Sequence, residues 1–103
     1  MSGGQFFFIV LRVEKLDVAL YEWAAEADGG GPPTLDSGNG SSIEDCLRDA
    51  ADILRAAHGV ELRYDGYCAG TFVGAEVAER PSEFASKAAA VTKYFKAVHL
   101  SLA

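Results

Sequence analysis

Hydrophobic positions along the chain change period several times, and each change marks an element. Phe6–Leu11, FFFIVL, is almost continuously apolar and ends at Arg12. Aromatic and β-branched residues over Gln5–Val13 predict a strand buried on both faces or lying against a helix. Val18–Ala27, VALYEWAAEA, fits two periods. Val18, Leu20 and Glu22 alternate with Ala19, Tyr21 and Trp23, as in a strand, whereas Leu16, Leu20, Trp23 and Ala27 share a helical face. The alanines favour helix. The short turn after a strand favours a hairpin partner, and strand is the preferred reading. Gly29–Ser42, GGGPPTLDSGNGSS, then breaks any regular pattern with five glycines and two prolines. It predicts a flexible Gly/Pro-rich loop over 28–41, with room for a short edge strand around Thr34–Ser37.

The second half is more regular. Ser41 and Glu44 have capping-box spacing, and Ile43, Cys46, Leu47, Ala50, Ile53, Leu54 and Ala57 form one apolar stripe, which predicts an amphipathic helix stopped by Gly59. Val60, Leu62 and Tyr64 alternate with polar residues up to Asp65-Gly66, a hairpin turn signal. The return strand is expected from Tyr67 to about Val77, with Gly70 and Gly74 at bends. Ser82 reads as the cap of a last helix, whose seam is Phe84, Ala88, Val91, Phe95, Val98 and Leu102.

The expected order is ββαββα in one domain spanning 1–103. It would be an α+β, two-layer fold, with an antiparallel sheet and both amphipathic helices on one face. If the other sheet face is bare, its aromatics would seek a partner, as a dimer or a binding surface.

Composition narrows the classes. Half of the 103 residues are hydrophobic, enough for a core without staples. No apolar run approaches a membrane span of roughly 18 residues, and the start MSGGQ lacks the basic region of a secretory signal. A cytoplasmic protein is the expectation, with Cys46 and Cys68 reduced and Cys46 buried. Net charge is −6, all of it from residues 1–60, since residues 61–103 carry five acids and five bases. Such a balance disfavours general binding to nucleic acid or to an anionic membrane. The one local basic set is Lys87, Lys93 and Lys96, and these do not make a single stripe.

Motifs for chemistry are sparse. The Gly-rich loop has no lysine for a phosphate loop, lacks the third glycine of a dinucleotide fingerprint, and fails the calcium-loop spacing at Gly38 and Gly40. The helix start at Ser41-Ser42 could attract an anion, but Glu44 and Asp45 already occupy it. His58 and His99 lie near helix ends, where a cation suits the dipole, and no local ligand pair suggests zinc. No serine elbow occurs; a cysteine nucleophile would more readily be Cys68, beyond the turn, than Cys46 on an apolar stripe. No cofactor is indicated. The densest cluster of contact-prone types is Arg63, Tyr64, Asp65 and Tyr67 around one tight turn, since Tyr and Arg are enriched at interaction hot spots. The two tyrosines also serve as cross-strand neighbours that stabilise the hairpin.

The run FFFIVLRVEKLDVALYEWAAEADGGGPPTLDSG and the alanine-rich helices resemble the short uncharacterised proteins of Burkholderia-type proteobacteria, a group that brings no assigned activity and no functional residues. Over about half the chain, a hairpin, a polar loop and SSIEDCLRDAADIL are similar to the opening of HicB-type antitoxin domains, which bind a small toxin partner. PPTLDSGNG departs from the Pro-x-x-Pro-Gly-type loop of those domains, and the second half does not follow them.

The sequence therefore favours a non-catalytic interaction or regulatory protein with a protein partner or a homodimer. A small-ligand or metal binding module built on loop 29–42 is the alternative, and a cysteine-dependent enzyme the next.

Overall fold

A computed structural model describes residues 6–27 and 34–102. Nine elements are found among the described residues. They are β1 (Phe8–Asp17), β2 (Leu20–Ala27), β3 (Thr34–Gly40), α1 (Ile43–Asp49), α2 (Ala51–Ala56), β4 (Gly59–Tyr64), β5 (Tyr67–Val73), α3 (Gly74–Glu79) and α4 (Pro81–Leu102). The five strands form one mixed sheet in the order β3-β2-β1-β4-β5. Neighbours are antiparallel except β1 and β4, which run parallel from Phe8↔Gly59 to Val13↔Tyr64.

This corrects the expected antiparallel ββαββα order. Thr34–Gly40 pairs with β2 as a third strand, so that part of the expected 28–41 loop is an edge strand. Residues 28–33 of the loop lie outside the described residues. β3 and β4 both run parallel to β1, and the helices between them supply the crossover connection that a parallel arrangement requires. The preferred strand reading of Val18–Ala27 holds over Leu20–Ala27, behind a tight turn with Ala19 at φ 56.

One core joins sheet and helices. Ile9, Leu11, Val13, Trp23, Ala25, Val60 and Leu62 from the strands pack with Cys46, Leu47, Leu54, Val77, Phe84 and Ala88 from the helices. The intervening Arg12 and Glu14 are exposed, the period-2 signature of a strand with one covered side. Val10 and Glu26 are nonetheless buried, with the Arg12 guanidinium 2.9 Å from the Glu26 carboxylate.

The expected single helix over Ser41–Gly59 is two. At Ala50 (φ −85, ψ 5) the backbone N–H reaches both Cys46 and Arg48 carbonyls and the turn loosens. The apolar stripe survives the break, with only Ile53 half-buried and the rest buried. The cap is Ser42, one residue later than expected: its Oγ accepts the Asp45 N–H at 3.0 Å, while the Ser41 hydroxyl bonds the Asp45 carboxylate. Gly59 opens β4 and stops nothing; Ala57, extended at φ −83 and ψ 133, ends α2.

The return strand ends at Val73, short of the expected Val77, because Gly74 starts α3. A Cβ at Gly74 would sit 2.2 Å from the Leu54 carbonyl oxygen and 2.4 Å from that of Ala57, so the bare α-carbon lets α3 abut α2. Pro81 is the first residue of α4, which places Ser82 inside the helix; proline suits that position because its missing N–H has no helical acceptor.

The α4 seam is only half buried. Phe84, Ala88 and Thr92 are buried, Val91 and Val98 half-buried, and Phe95 and Leu102 exposed. The sheet ends beneath Thr92 and the helix runs on. Among the described residues no helix is long and apolar enough to cross a membrane.

Candidate functional site

The β4–β5 turn is built as its sequence requires. Asp65 and Gly66 have φ 55 and φ 86, the two positive values of a two-residue hairpin turn that Asp-Gly tolerates. Tyr64 and Tyr67 face each other as cross-strand partners on either side.

The four candidate contact residues diverge. Arg63 binds Glu61 and pairs with Cys68 across the hairpin, while Tyr64, the next residue, points to the other side of the sheet. The Tyr64 ring stacks on Tyr21 with centroids 6.4 Å apart. Burial first, then the neighbouring Tyr21 hydroxyl and Asp65, push the Tyr64 phenol up to about 12. Its carbonyl accepts a 3.3 Å hydrogen bond from Thr92 Oγ1. Asp65 donates its N–H to the Val13 carbonyl at 2.9 Å, and its carboxylate takes the Lys96 ammonium. That hydrogen bond raises the Lys96 pKa. Tyr67 stacks on Phe95 with centroids 6.4 Å apart and planes 2° from parallel. Three of the four residues thus fasten the turn to β1, β2 and α4.

This fastening defines one pole of the molecule. Phe84 meets Phe72 near the far end of β5, and Thr92 meets Tyr64 at the end of β4, so α4 runs along β4 in the direction of β1. Past the turn, two segments continue the same way. The β1–β2 hairpin extends beyond the Val13↔Tyr64 pair as an arm with Leu16, Val18 and Leu20 exposed. The α4 tail extends beyond Lys96 with Leu100 and Leu102 exposed, and Tyr94 and Phe95 exposed at its root. Seven of the ten exposed large hydrophobic side chains among the described residues lie on this arm and tail. The sequence hid the pole because Phe95 and Leu102 continue a helical period that is core in its first turns. Only the strand register shows where the sheet stops.

Other candidates are dispersed. The His58 Nδ1 accepts the Phe7 N–H at 2.9 Å, its ring stacks on Phe6 at 5.4 Å, and the His58 backbone N–H donates to the Phe7 carbonyl at 2.8 Å. His99 is on the α4 tail at the opposite pole. Among the described residues no three His, Cys, Asp or Glu side chains converge as a metal site. Cys46 is fully buried; desolvation first, then Asp49 and Asp45, push its thiol up to about 11. Cys68 is exposed on β5. The Lys87 ammonium lies over the Phe72 and Phe84 rings at 5.3 and 5.7 Å, and Lys96 is paired with Asp65, so both are engaged within the chain.

The sheet side away from the helices carries Arg12, Glu14, Glu22 and Arg63 beside Phe8 and Val10, with Phe8 stacked on Phe6. Its recess, lined by Arg12, Glu14, Glu22, Trp23 and Ala24, has a volume of about 30 Å³, enough for a water molecule and too small for an organic ligand. Comparison of the chain with family models, curated proteins and solved structures returns no match.

Proposed function

We propose that this chain is a non-catalytic protein-interaction module that makes its contact through the pole formed by the β1–β2 arm and the α4 tail. The concentration of exposed apolar side chains there, against a mostly polar remainder, carries this reading. Contiguous exposed apolar surface is costly to leave in water and marks an interaction site. Tyr67, Tyr94 and Phe95 cluster where α4 passes the Asp65-Gly66 turn, and such rings supply much contact area at little entropic cost. We read the fold as two layers, with the helices over one side of the sheet and the polar side left to solvent. The similarity of the first half to HicB-type antitoxin domains, which bind a small protein, favours a protein partner too.

Site-specific photocrosslinking in cells tests the reading. A Tyr94→p-benzoylphenylalanine chain should crosslink to protein, and a Glu79→p-benzoylphenylalanine chain should not. Loss of that contrast, with no adduct at Tyr94, would overturn it.

A further inference from the structure

We infer that the partner is a second copy of this chain, joined through a two-fold axis so that each arm lies against the other copy's tail; this rests on the interaction reading above. Charge supplies the first reason. The arm, Glu14–Glu22, carries Glu14, Asp17 and Glu22 against one Lys15, whereas the tail from Lys93 to Leu102 carries no acid and two lysines, of which Lys96 is held by Asp65 of its own chain and Lys93 is left to face the arm. Apolar surface is shared between the two: Leu16, Val18 and Leu20 on one, Tyr94, Phe95, Leu100 and Leu102 on the other. Arm against arm would oppose like charges, and tail against tail would do the same. Arm against tail pairs acid with base and buries leucine on leucine.

Geometry supplies the second reason. Arm and tail leave the same pole in the same direction, flanking the Asp65-Gly66 turn. A two-fold axis that sets each arm beside the other copy's tail makes that contact twice, which is the self-complementary pattern of an isologous dimer. The arm, the tail and the turn offer about twenty residues per copy, the number a standard stable interface uses. The molecule is elongated, 51 by 28 by 26 Å, in keeping with projections that are left uncovered among the described residues.

Sedimentation equilibrium on the full chain tests this, with Val18→Asp as the arm variant and Leu102→Asp as the tail variant. Both side chains are more than four-fifths exposed, at 83% and 82%, so the substitutions leave the core intact, and Trp23 fluorescence monitors the fold. The wild-type chain should dimerise, and each variant alone should weaken the dimer by about a hundredfold, because both arm–tail contacts are damaged. An equimolar mixture of the two variants should recover about a tenth of the wild-type affinity, because a mixed dimer keeps one contact fully native. A wild-type chain that stays monomeric to about 0.5 mM overturns the inference. So does a dimer indifferent to both variants, or a mixture no better than its parts. A monomer that still crosslinks to a different protein from Tyr94 overturns the second copy alone and leaves the interaction reading standing.

Discussion

The indole N–H of Trp23 on β2 donates to the Asp49 carboxylate at the end of α1, at 2.9 Å. Trp23 is 2% exposed, and this bond fixes how the first helix lies across the sheet. Asp49→Ala removes the acceptor from a buried donor and should cost about 1–2 kcal/mol. Asp49→Asn keeps an oxygen in place and should recover at least half of that. Thermal unfolding measures both, and the emission of the single tryptophan should change only in the alanine variant.

Alkali should destabilise the fold in a defined window. The Cys46 thiol has its ordinary value of 9.0 in the unfolded chain and about 11 in the folded one. Between these values the folded state holds a proton that the unfolded state has released, so stability falls as pH rises from about 9 to about 11 and levels off above. The loss amounts to about 2–3 kcal/mol. Tyr64, raised from 10.0 to about 12, extends the decline. Denaturant titrations across this range should show the slope, and Cys46→Ala should remove its lower part while leaving the Tyr64 part.

Thiol chemistry should separate the cysteines. Cys68 is exposed and Cys46 is fully buried with a raised pKa. In native buffer at pH 8, iodoacetamide should modify one thiol per chain, mapped to Cys68 by mass spectrometry. The second should react only in denaturant, since the thiolate is the nucleophile. Equal labelling of both would contradict the buried placement of Cys46.

Two glycines should respond to alanine for different reasons. At Gly66 nothing lies within 4 Å of a new Cβ, but φ is 86, so Gly66→Ala should cost about 1–2 kcal/mol from backbone strain alone. At Gly74 the new Cβ meets the carbonyl oxygens of Leu54 in α2 and of Ala57 just past its end, and overpacking of this kind costs about 1–3 kcal/mol. Hydrogen exchange should tell them apart: Gly66→Ala should leave α3 protection unchanged, while Gly74→Ala should lower it.

Much of the fold was legible where a residue's neighbours in sequence decide its state. The continuous apolar run places β1, the period-2 pattern β4, the helical stripes α1 and the first turns of α4, and Asp65-Gly66 its turn. What could not be read depends on distant residues. Thr34–Gly40 is a strand because β2 offers it an edge, although TLDSGNG has poor strand propensity. Gly74 looked like a strand bend, and its purpose lies in the Leu54 and Ala57 carbonyls. Of the candidate cluster, the turn chemistry was local, but the division of Arg63 from Tyr64, Asp65 and Tyr67 follows from which side of the sheet α4 covers. The exposed pole was invisible because the period of α4 outlasts the sheet beneath it.

The parallel pairing of β1 with β4 has a kinetic consequence. Every antiparallel pair in the sheet joins strands consecutive in the chain, so each can close early. The β1–β4 seam alone joins distant strands, and its first link, Phe7 with His58, spans 51 positions. Closing so long a loop must precede any reward from the contacts it makes. The two halves of the sheet would form fast and meet late, with the seam as the transition state. Substitutions at Val60 or Ile9 should then slow refolding, and those at the Val18-Ala19 turn should leave it largely untouched.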